Sequence, residues 1–567
     1  MPSALLPALA LALALALALL PPPASASALP PLLPALALAL ALAPPPASAA
    51  RPQTIVFILM DDVGNNMVGF AANSTASAAG ARGASLTPHL DALAAEGLVL
   101  DHALAAFWCT PSRSSLLTGR LPVHVQMGQD FPETPSAGIP RHMGSLAAKL
   151  QAAGYSTAAV GKWDVGFSSP DHTPEGRGFN SSLVYVEHMV EHYTQKIFPG
   201  GTACTLYDAT ITDLWCDGAP CRALNGTDFI EFLHRDRLAS VLAAHGSAGP
   251  PLFLYYAPAV AHYPLQVPRE WLDRYAFMGD DEGDCNATVP YVYPGAPQGA
   301  PLRCRAQSAA LMGLLDEVIG NLTAALKARG LWEEALIIVQ SDNGAPLDTA
   351  EAGGSNFPLR GGKYSSWMGG IQTPALVSGG YLPPARRGAR EPGLAHIADW
   401  WATLIGLAGG DASDARAAAA GLPPPDSLDL WPLLSGANAT SPRVEVPIAP
   451  SSMVSWPWKF LKGPQWWSGW QGPVYPNASS PAHSPNIWEL CGQGCLYNLE
   501  EDPGEHVSVA AEHPALVAAL SARIDLLAEG FFSNNDTGVD ACPPGEPLCG
   551  CWAAVHTWGG FFGPYQV

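Results

Sequence analysis

Four short segments are continuously apolar and rich in β-branched or aromatic residues: Gln53 to Met60, Ser156 to Val160, Leu252 to Tyr256 and Leu336 to Gln340. Runs of this length and composition read as strands buried on both faces, as in a parallel or mixed sheet. Between them lie helix-like segments, Pro88 to Glu96, Gly144 to Ala153, Gln307 to Arg329 and Leu394 to Leu407. Strands alternating with helices predict an α/β fold. Each strand also delivers polar groups at its carboxyl end: Asp61-Asp62, Gly161-Lys162, a loop carrying His262, and Asp342-Asn343. In such sheets ligands bind beyond the carboxyl ends of strands.

Taken singly, these groups read as turns, caps or solvated loop residues. Taken together, Asp61, Asp62, Asp342 and Asn343 form an all-oxygen ligand set. That set suits a hard cation, Ca²⁺ or Mg²⁺, and does not suit zinc.

The first fifty residues are a different object. Leu6 to Ala26 and Leu33 to Ala49 repeat a Leu-Ala run ending in prolines and small residues. Neither run reaches the roughly 20 uninterrupted apolar residues that span a bilayer. The first, ending at Ala24-Ser25-Ala26, reads as a signal peptide without a basic n-region, with a membrane anchor or transit segment as the alternative. Two other counts agree with export. N-x-S/T sequons begin at Asn73, Asn180, Asn225, Asn286, Asn321, Asn438, Asn477 and Asn535. Of the 11 cysteines, ten remain once Cys109 is set apart, compatible with five disulfides in an oxidising compartment. Cys204 with Cys221 and Cys285 with Cys304 are the local pairings expected.

The 567 residues carry 28 Lys plus Arg against 49 Asp plus Glu, and a net charge of −21 argues against nucleic acid as a partner. At 48% hydrophobic and 14% charged, the chain lies far from the disordered class. Its length fits a large α/β domain at about 51–436 with a smaller one at about 437–567.

The stretch from Cys109 to Arg120, CTPSRSSLLTGR, resembles the sulfatase signature C-x-P-S-R-x-x-x-L-T-G-R, whose cysteine is oxidised after translation to Cα-formylglycine. The likeness runs from Arg51 to about Pro514, through TPHLDALAAEG at Thr87, AGYSTAAVGKW at Ala153, HYPLQVP at His262, SDNGA at Ser341, PLRGGKYSSW at Pro358, HIADWWATLIGLAG at His396 and LYNLEEDPGEH at Leu496. Its wording is most similar to the arylsulfatase B branch, the N-acetylgalactosamine-4-sulfatases. The resemblance implies a large mixed sheet flanked by helices, the alkaline-phosphatase-like sulfatase fold, with a smaller C-terminal α+β domain.

It also implies a mechanism. Asp61, Asp62, Asp342, Asn343 and modified Cys109 would surround one Ca²⁺, and Arg113 would steady the formylglycine and the metal ligands. Lys162 and Lys363 would neutralise the sulfate, and His262 would contact or protonate the leaving oxygen. Of the two hydroxyls of the hydrated aldehyde, one attacks sulfur and the other collapses to expel sulfate. The implied partners are a sulfated small molecule or glycan as substrate and a formylglycine-generating enzyme during maturation. The implied location is the secretory pathway, ending outside the cell or in a lysosome- or vacuole-like compartment.

Two places depart from the family pattern. Where the family reads G-K-W-H-x-G, this chain has Asp164 in place of a histidine cast as the base for sulfate elimination. Where it reads W-E-G-G-x-R, this chain has Trp367-Met368-Gly369-Gly370-Ile371-Gln372. The first departure motivates the alternative of a catalytically silent member that binds sulfated glycans. A phosphonate or phosphate monoester hydrolase of a neighbouring family is the other. Near the C-terminus, Trp456, Trp458, Trp466, Trp467 and Trp470 read as packing of the small sheet, with a sugar-stacking platform the other reading.

Overall fold

The computed structural model describes residues 51–71, 86–128, 138–198, 204, 210–246, 249–278, 292–296, 303–347, 353–471, 488–534, 542–546 and 548–566. The four apolar runs form β1 (Thr54–Met60), β3 (Ser156–Lys162), β7 (Leu252–Ala257) and β8 (Ala335–Ser341). The remaining strands of their sheet are β2 (Leu98–Leu104), β4 (Ser181–Tyr185), β5 (Trp215–Cys216), β6 (Ala219–Pro220), β9 (Ala375–Ser378) and β10 (Ala389–His396). The order across the ten strands is β10-β2-β9-β8-β1-β7-β3-β4-β5-β6. The pairs β8-β1, β1-β7, β7-β3 and β3-β4 are parallel, while β9 runs against both β2 and β8.

β1 shows why this sheet needs helices on both sides. Ile55, Phe57 and Leu59 face a core shared with α2 (Cys109–Thr118), α3 (Leu146–Ala152) and α6 (Trp400–Leu407). Val56, Ile58 and Met60 face a second core under α1 (Pro88–Ala95), α4 (Ile230–Ala244) and α5 (Cys304–Ala328). A strand buried on both faces has no polar alternation, which is why its sequence is a continuous apolar run. α5 is long and apolar enough to cross a membrane by length and composition alone, yet much of it is buried against this sheet.

A smaller antiparallel sheet follows, formed by β11 (Glu445–Ala449), β12 (Ser452–Ser455), β13 (Trp458–Leu461) and β16 (Cys495–Asn498), with the pair β14 (Pro464–Gln465) and β15 (Glu489–Leu490) beside it in sequence. Met453, Phe460 and Leu496 of the small sheet bury Leu520 and Ile524 of α7 (Pro514–Ala528). Residues Pro52–Val567 form one compact unit. Within it, Cys551 and Ala554 of α8 (Cys549–His556) and the nearby Phe562 pack into the same core as Phe57.

Two expectations are corrected. Leu394 to His396 is strand, and only Trp400–Leu407 of the expected segment is α-helix, after a 3₁₀ turn at Ile397–Asp399. The ladder of β10 with β2, in which Leu394 pairs with His102, claims those residues. His396 and Asp399 then cap the turn, with His396 N donating to Asp399 Oδ2 at 2.9 Å and Ala398 N to His396 Nδ1 at 3.1 Å. Cys204 pairs with Cys551 rather than with Cys221, which pairs with Cys216 across the β5-β6 hairpin. Cys491–Cys495 and Cys542–Cys549 are further disulfides. Cys304 is disulfide-bonded, and Cys285 lies outside the described residues. So do the first fifty residues and the sequons at Asn73, Asn286, Asn477 and Asn535.

Cys204–Cys551 ties α8 to the body of the protein across 347 residues of chain. Chain-entropy reasoning gives such a bond up to about 5 kcal/mol. Cys551→Ser is expected to lower the thermal midpoint at fixed scan rate and to expose the tail after residue 542 to protease. An unchanged midpoint and cleavage pattern would show that packing alone holds the tail.

Candidate active site

The carboxyl ends of β1, β3, β7 and β8 open onto one point, and the loop after β2 brings Cys109 there as the first residue of α2. Arg113 follows Cys109 by four residues, so both lie on one face of the helix. Ser112 fixes that helix. Its Oγ accepts from Ala106 N at 2.8 Å and donates to the carbonyl of Asp342. α2 ends at Gly119, whose φ of 71° and contact with the Trp401 ring leave no room for a side chain.

The charged groups interlock. Arg113 donates Nε and Nη2 to Asp342 Oδ2 at 3.1 and 2.7 Å, donates Nη1 to the Lys162 carbonyl at 3.2 Å, and lies 3.5 Å from Asp61. Lys162 Nζ donates to Asp61 Oδ2 at 2.9 Å, and Lys363 Nζ donates to Asp62 Oδ2 at 2.8 Å. His262 Nε2 lies 3.0 Å from Lys363 Nζ and 3.4 Å from Asp62. Its Nδ1 faces the Tyr263 carbonyl at 2.6 Å. A carbonyl only accepts, so Nδ1 carries a proton and Nε2 is left to accept from the Lys363 ammonium. All of these side chains are buried.

Burial opposes the charge on Asp61, but the cations Lys162, Arg113 and Lys363 outweigh it and hold its pKa far below the ordinary carboxylate range. Asp342 is pushed up to about 6, first by burial and then by the charge of Asp61, against Arg113 and Lys162. Burial, then Asp342 and Asp61, raise the Cys109 thiol well above its usual value. An unmodified Cys109 is therefore a neutral thiol, 3.4 Å from Asp61, and a poor nucleophile.

The donor set fits a metal ion. Asp61, Asp62, Cys109 and His262 each offer a ligand atom within 4.8 Å of the others. Asn343 donates Nδ2 to Asp62 at 2.6 Å while its Oδ1 is buried without a hydrogen-bond partner. Asp342 joins through Oδ1, 3.3 Å from Asp62 N, with Oδ2 held by Arg113. Asp62 has a left-handed φ of 59°, which aspartate tolerates better than most residues.

Asp164 is also in this cluster, at φ 54°. Thr110 Oγ1 donates to its Oδ1 at 3.0 Å, and its Oδ2 lies 3.6 Å from Lys162 Nζ and 4.0 Å from Arg113 Nε. Every candidate residue from the sequence thus falls in one buried cluster. Sequence reasoning missed three supports. Thr110 and Ser112 sit inside the cysteine motif, but Asp164 and the Asp342 carbonyl come from the loops after β3 and β8. Glu231 accepts from Tyr256 Oη and, at 3.1 Å, from Ala259 N, bracing the loop that carries His262. No local pattern marks it.

The sulfatase family's sequence model matches residues 53–410. The chain belongs to the sulfatase family. It is 30% identical over 543 residues to arylsulfatase J of Mus musculus, covering 90% of this chain and 80% of that one. It is 30% identical over 512 residues to arylsulfatase A of Homo sapiens, covering 83% and 87%. Its fold is similar to the crystal structure of Ps i-CgsB in complex with k-i-k-neocarrahexaose, with a TM-score of 0.65, 21% identity, and coverage of 86% and 94%. The chain is accordingly a sulfuric ester hydrolase. These matches carry the family and not the narrower likeness to arylsulfatase B.

Removing Arg113 would leave Asp342, Asp61 and Asp164 buried with one cation fewer. Breaking a buried pair this way costs about 3–5 kcal/mol. Arg113→Ala is expected to lose stability of that order in chemical denaturation. A loss under about 1 kcal/mol, the range of an exposed pair, would show that the cluster is solvated.

Proposed function

We propose that this sulfatase hydrolyses sulfate monoesters, aryl sulfate or sulfated glycan, through formylglycine made from Cys109. The observation that carries the reading is the meeting of Cys109 with three carboxylates and three cations at the first turn of α2. Asp61, Asp62, Asp342, Asn343 and residue 109 would hold one Ca²⁺. The hydrated aldehyde supplies two geminal hydroxyls where the thiol stands, and a hard cation beside it supplies positive charge for an ionising hydroxyl and a sulfate oxygen.

The chain's own residues do the rest. Lys162 and Lys363 neutralise the sulfate oxygens. Arg113 holds Asp342 and the start of α2 in place. Lys363 and His262 share a proton at 3.0 Å and hand it to the leaving alcohol oxygen. Asp164, aimed by Thr110, accepts the proton released when sulfate leaves. The disulfides fit an oxidising compartment, and the sequon residues Asn180, Asn321 and Asn438 are exposed. Export to the cell exterior or a lysosome-like compartment, after action of a formylglycine-generating enzyme, is the corresponding cellular reading.

Protein from a host with that enzyme is expected to show formylglycine at residue 109 by peptide mass spectrometry and to turn over 4-nitrophenyl sulfate faster than 4-nitrophenyl phosphate. Full conversion without turnover of either would favour the binding-only reading. Chelation followed by dialysis is expected to lower both activity and melting temperature, with calcium restoring them. An ion present at 100 times its Kd contributes about 2.7 kcal/mol to stability. No change in either quantity would refute the metal assignment.

Asp164 puts a negative charge beside a bound anion, so Asp164→His is expected to raise kcat/KM for aryl sulfates, by up to about 1–3 kcal/mol of transition-state stabilisation. If instead the variant abolishes an activity the wild type has, Asp164 is an adapted base whose carboxylate the reaction needs.

A further inference from the structure

Nine large hydrophobic side chains are exposed among the described residues, and five of them, Trp466, Trp470, Trp488, Leu490 and Val507, fall between residues 466 and 507. β14 pairs with β15, setting Trp466 beside Trp488, and their rings touch. The Trp470 ring stacks on His506 at 4.9 Å with planes 10° apart, and Arg360 lies 4.2 Å from its centroid. Arg360 also pairs with Glu489 at 2.5 Å. As whole residues Trp466, Trp470 and Trp488 are 48%, 37% and 49% exposed. Such a concentration marks a binding site rather than scattered apolar residues.

The backbone fixes where this surface lies. The segment carrying Trp466 and Trp470 runs beside residues 360–367: Gly361 N donates to the Gly469 carbonyl at 2.8 Å, Arg360 Nε to the Ser468 carbonyl at 2.8 Å, and Trp367 Nε1 to the Trp466 carbonyl at 3.1 Å. Arg360 bridges directly to Trp470. Lys363, whose ammonium reaches Asp62, follows Arg360 by three residues, at most about 11 Å of chain. The aromatic surface therefore borders the active site. Its rim carries His506 and Glu489, while Arg360 is buried between the Trp470 and Trp367 rings. Flat, wide indole faces beside polar groups suit a pyranose ring, which presents C–H bonds on its faces and hydroxyls at its edge.

We propose that Trp466, Trp470 and Trp488 form a stacking platform for the sugar rings of a sulfated oligosaccharide whose ester group occupies the site at Lys363. The inference rests on the sulfate-ester reading above and makes the substrate a glycan rather than a small aryl sulfate. Trp470 is tied into the fold through its bond from Nε1 to the Gly504 carbonyl at 2.6 Å, so the test uses the two more exposed indoles.

Formylglycine-containing wild type, Trp466→Ala/Trp488→Ala and Trp466→Phe would be assayed on 4-nitrophenyl sulfate and on sulfated di- and tetrasaccharides from chondroitin, heparan and carrageenan. The readout is kcat/KM on the best saccharide divided by kcat/KM on 4-nitrophenyl sulfate. The double variant is expected to lower this ratio about tenfold, mainly through KM, and Trp466→Phe to keep most of it. An unchanged ratio overturns the proposal, as does a wild type that cleaves 4-nitrophenyl sulfate but none of the saccharides. Loss of self-association in the double variant with no change in ratio would assign the surface to a second copy of the chain instead. A wild type that cleaves no sulfate ester at all overturns the underlying reading, and the platform with it.

Discussion

Burial of charge is the constraint on which this structure turns. Asp61, Asp62 and Asp342 stand at strand ends from which water is excluded, and each is tolerable there only because a cation is buried with it. The penalty for an unpaired buried ion is several kcal/mol. The cations come from different elements: Arg113 from α2, Lys162 from the end of β3, and Lys363 from a loop 301 residues beyond Asp62 in sequence. Pairing the charges therefore requires that the sheet order, the start of α2 and the loop before Trp367 all be correct at once. The fold and the site specify each other.

The same constraint explains what could be read in advance. β1, β3, β7 and β8 are central and buried on both faces, so their sequences are apolar throughout and end abruptly in the functional groups. β2 and β10 lie toward the sheet's edge and carry Asp101, His102, Arg390 and Glu391, which mask them as strands. β10 also contains Pro392-Gly393, where its register with β2 shifts, so the apolar residues after it looked like the start of a helix. Asp61, Asp62, Lys162, Asp342 and Asn343 were legible as candidates because they close strand ends, and Cys109 and Arg113 because they share one cysteine motif, whereas Lys363 came only with the family resemblance. The roles of Thr110, Ser112 and Glu231 were not legible, because each acts on a partner brought in by tertiary structure. The bond between Cys204 and Cys551 was hidden for the same reason: local spacing favours neighbours, and its partner is 347 residues away.

Asp164 changes the electrostatic balance of the cluster. With His262 neutral, the four carboxylates of Asp61, Asp62, Asp164 and Asp342 face three fixed cations, Arg113, Lys162 and Lys363, and leave one negative charge in excess. Asp342, pushed up to about 6 chiefly by burial and then by the neighbouring Asp61 charge, is less firmly ionised than Asp61. A sulfate monoester brings a further negative charge into the same dry volume. A divalent cation reverses the sign, leaving one positive charge to meet one negative. A neutral histidine at residue 164 would have left the protein groups balanced before either ligand arrived. On the proposed reading, a bound divalent cation would therefore balance charge as well as complete the ligand set. Because the ion and the sulfate ester are opposite in charge and would share this buried site, each would raise the other's affinity, and by the same factor.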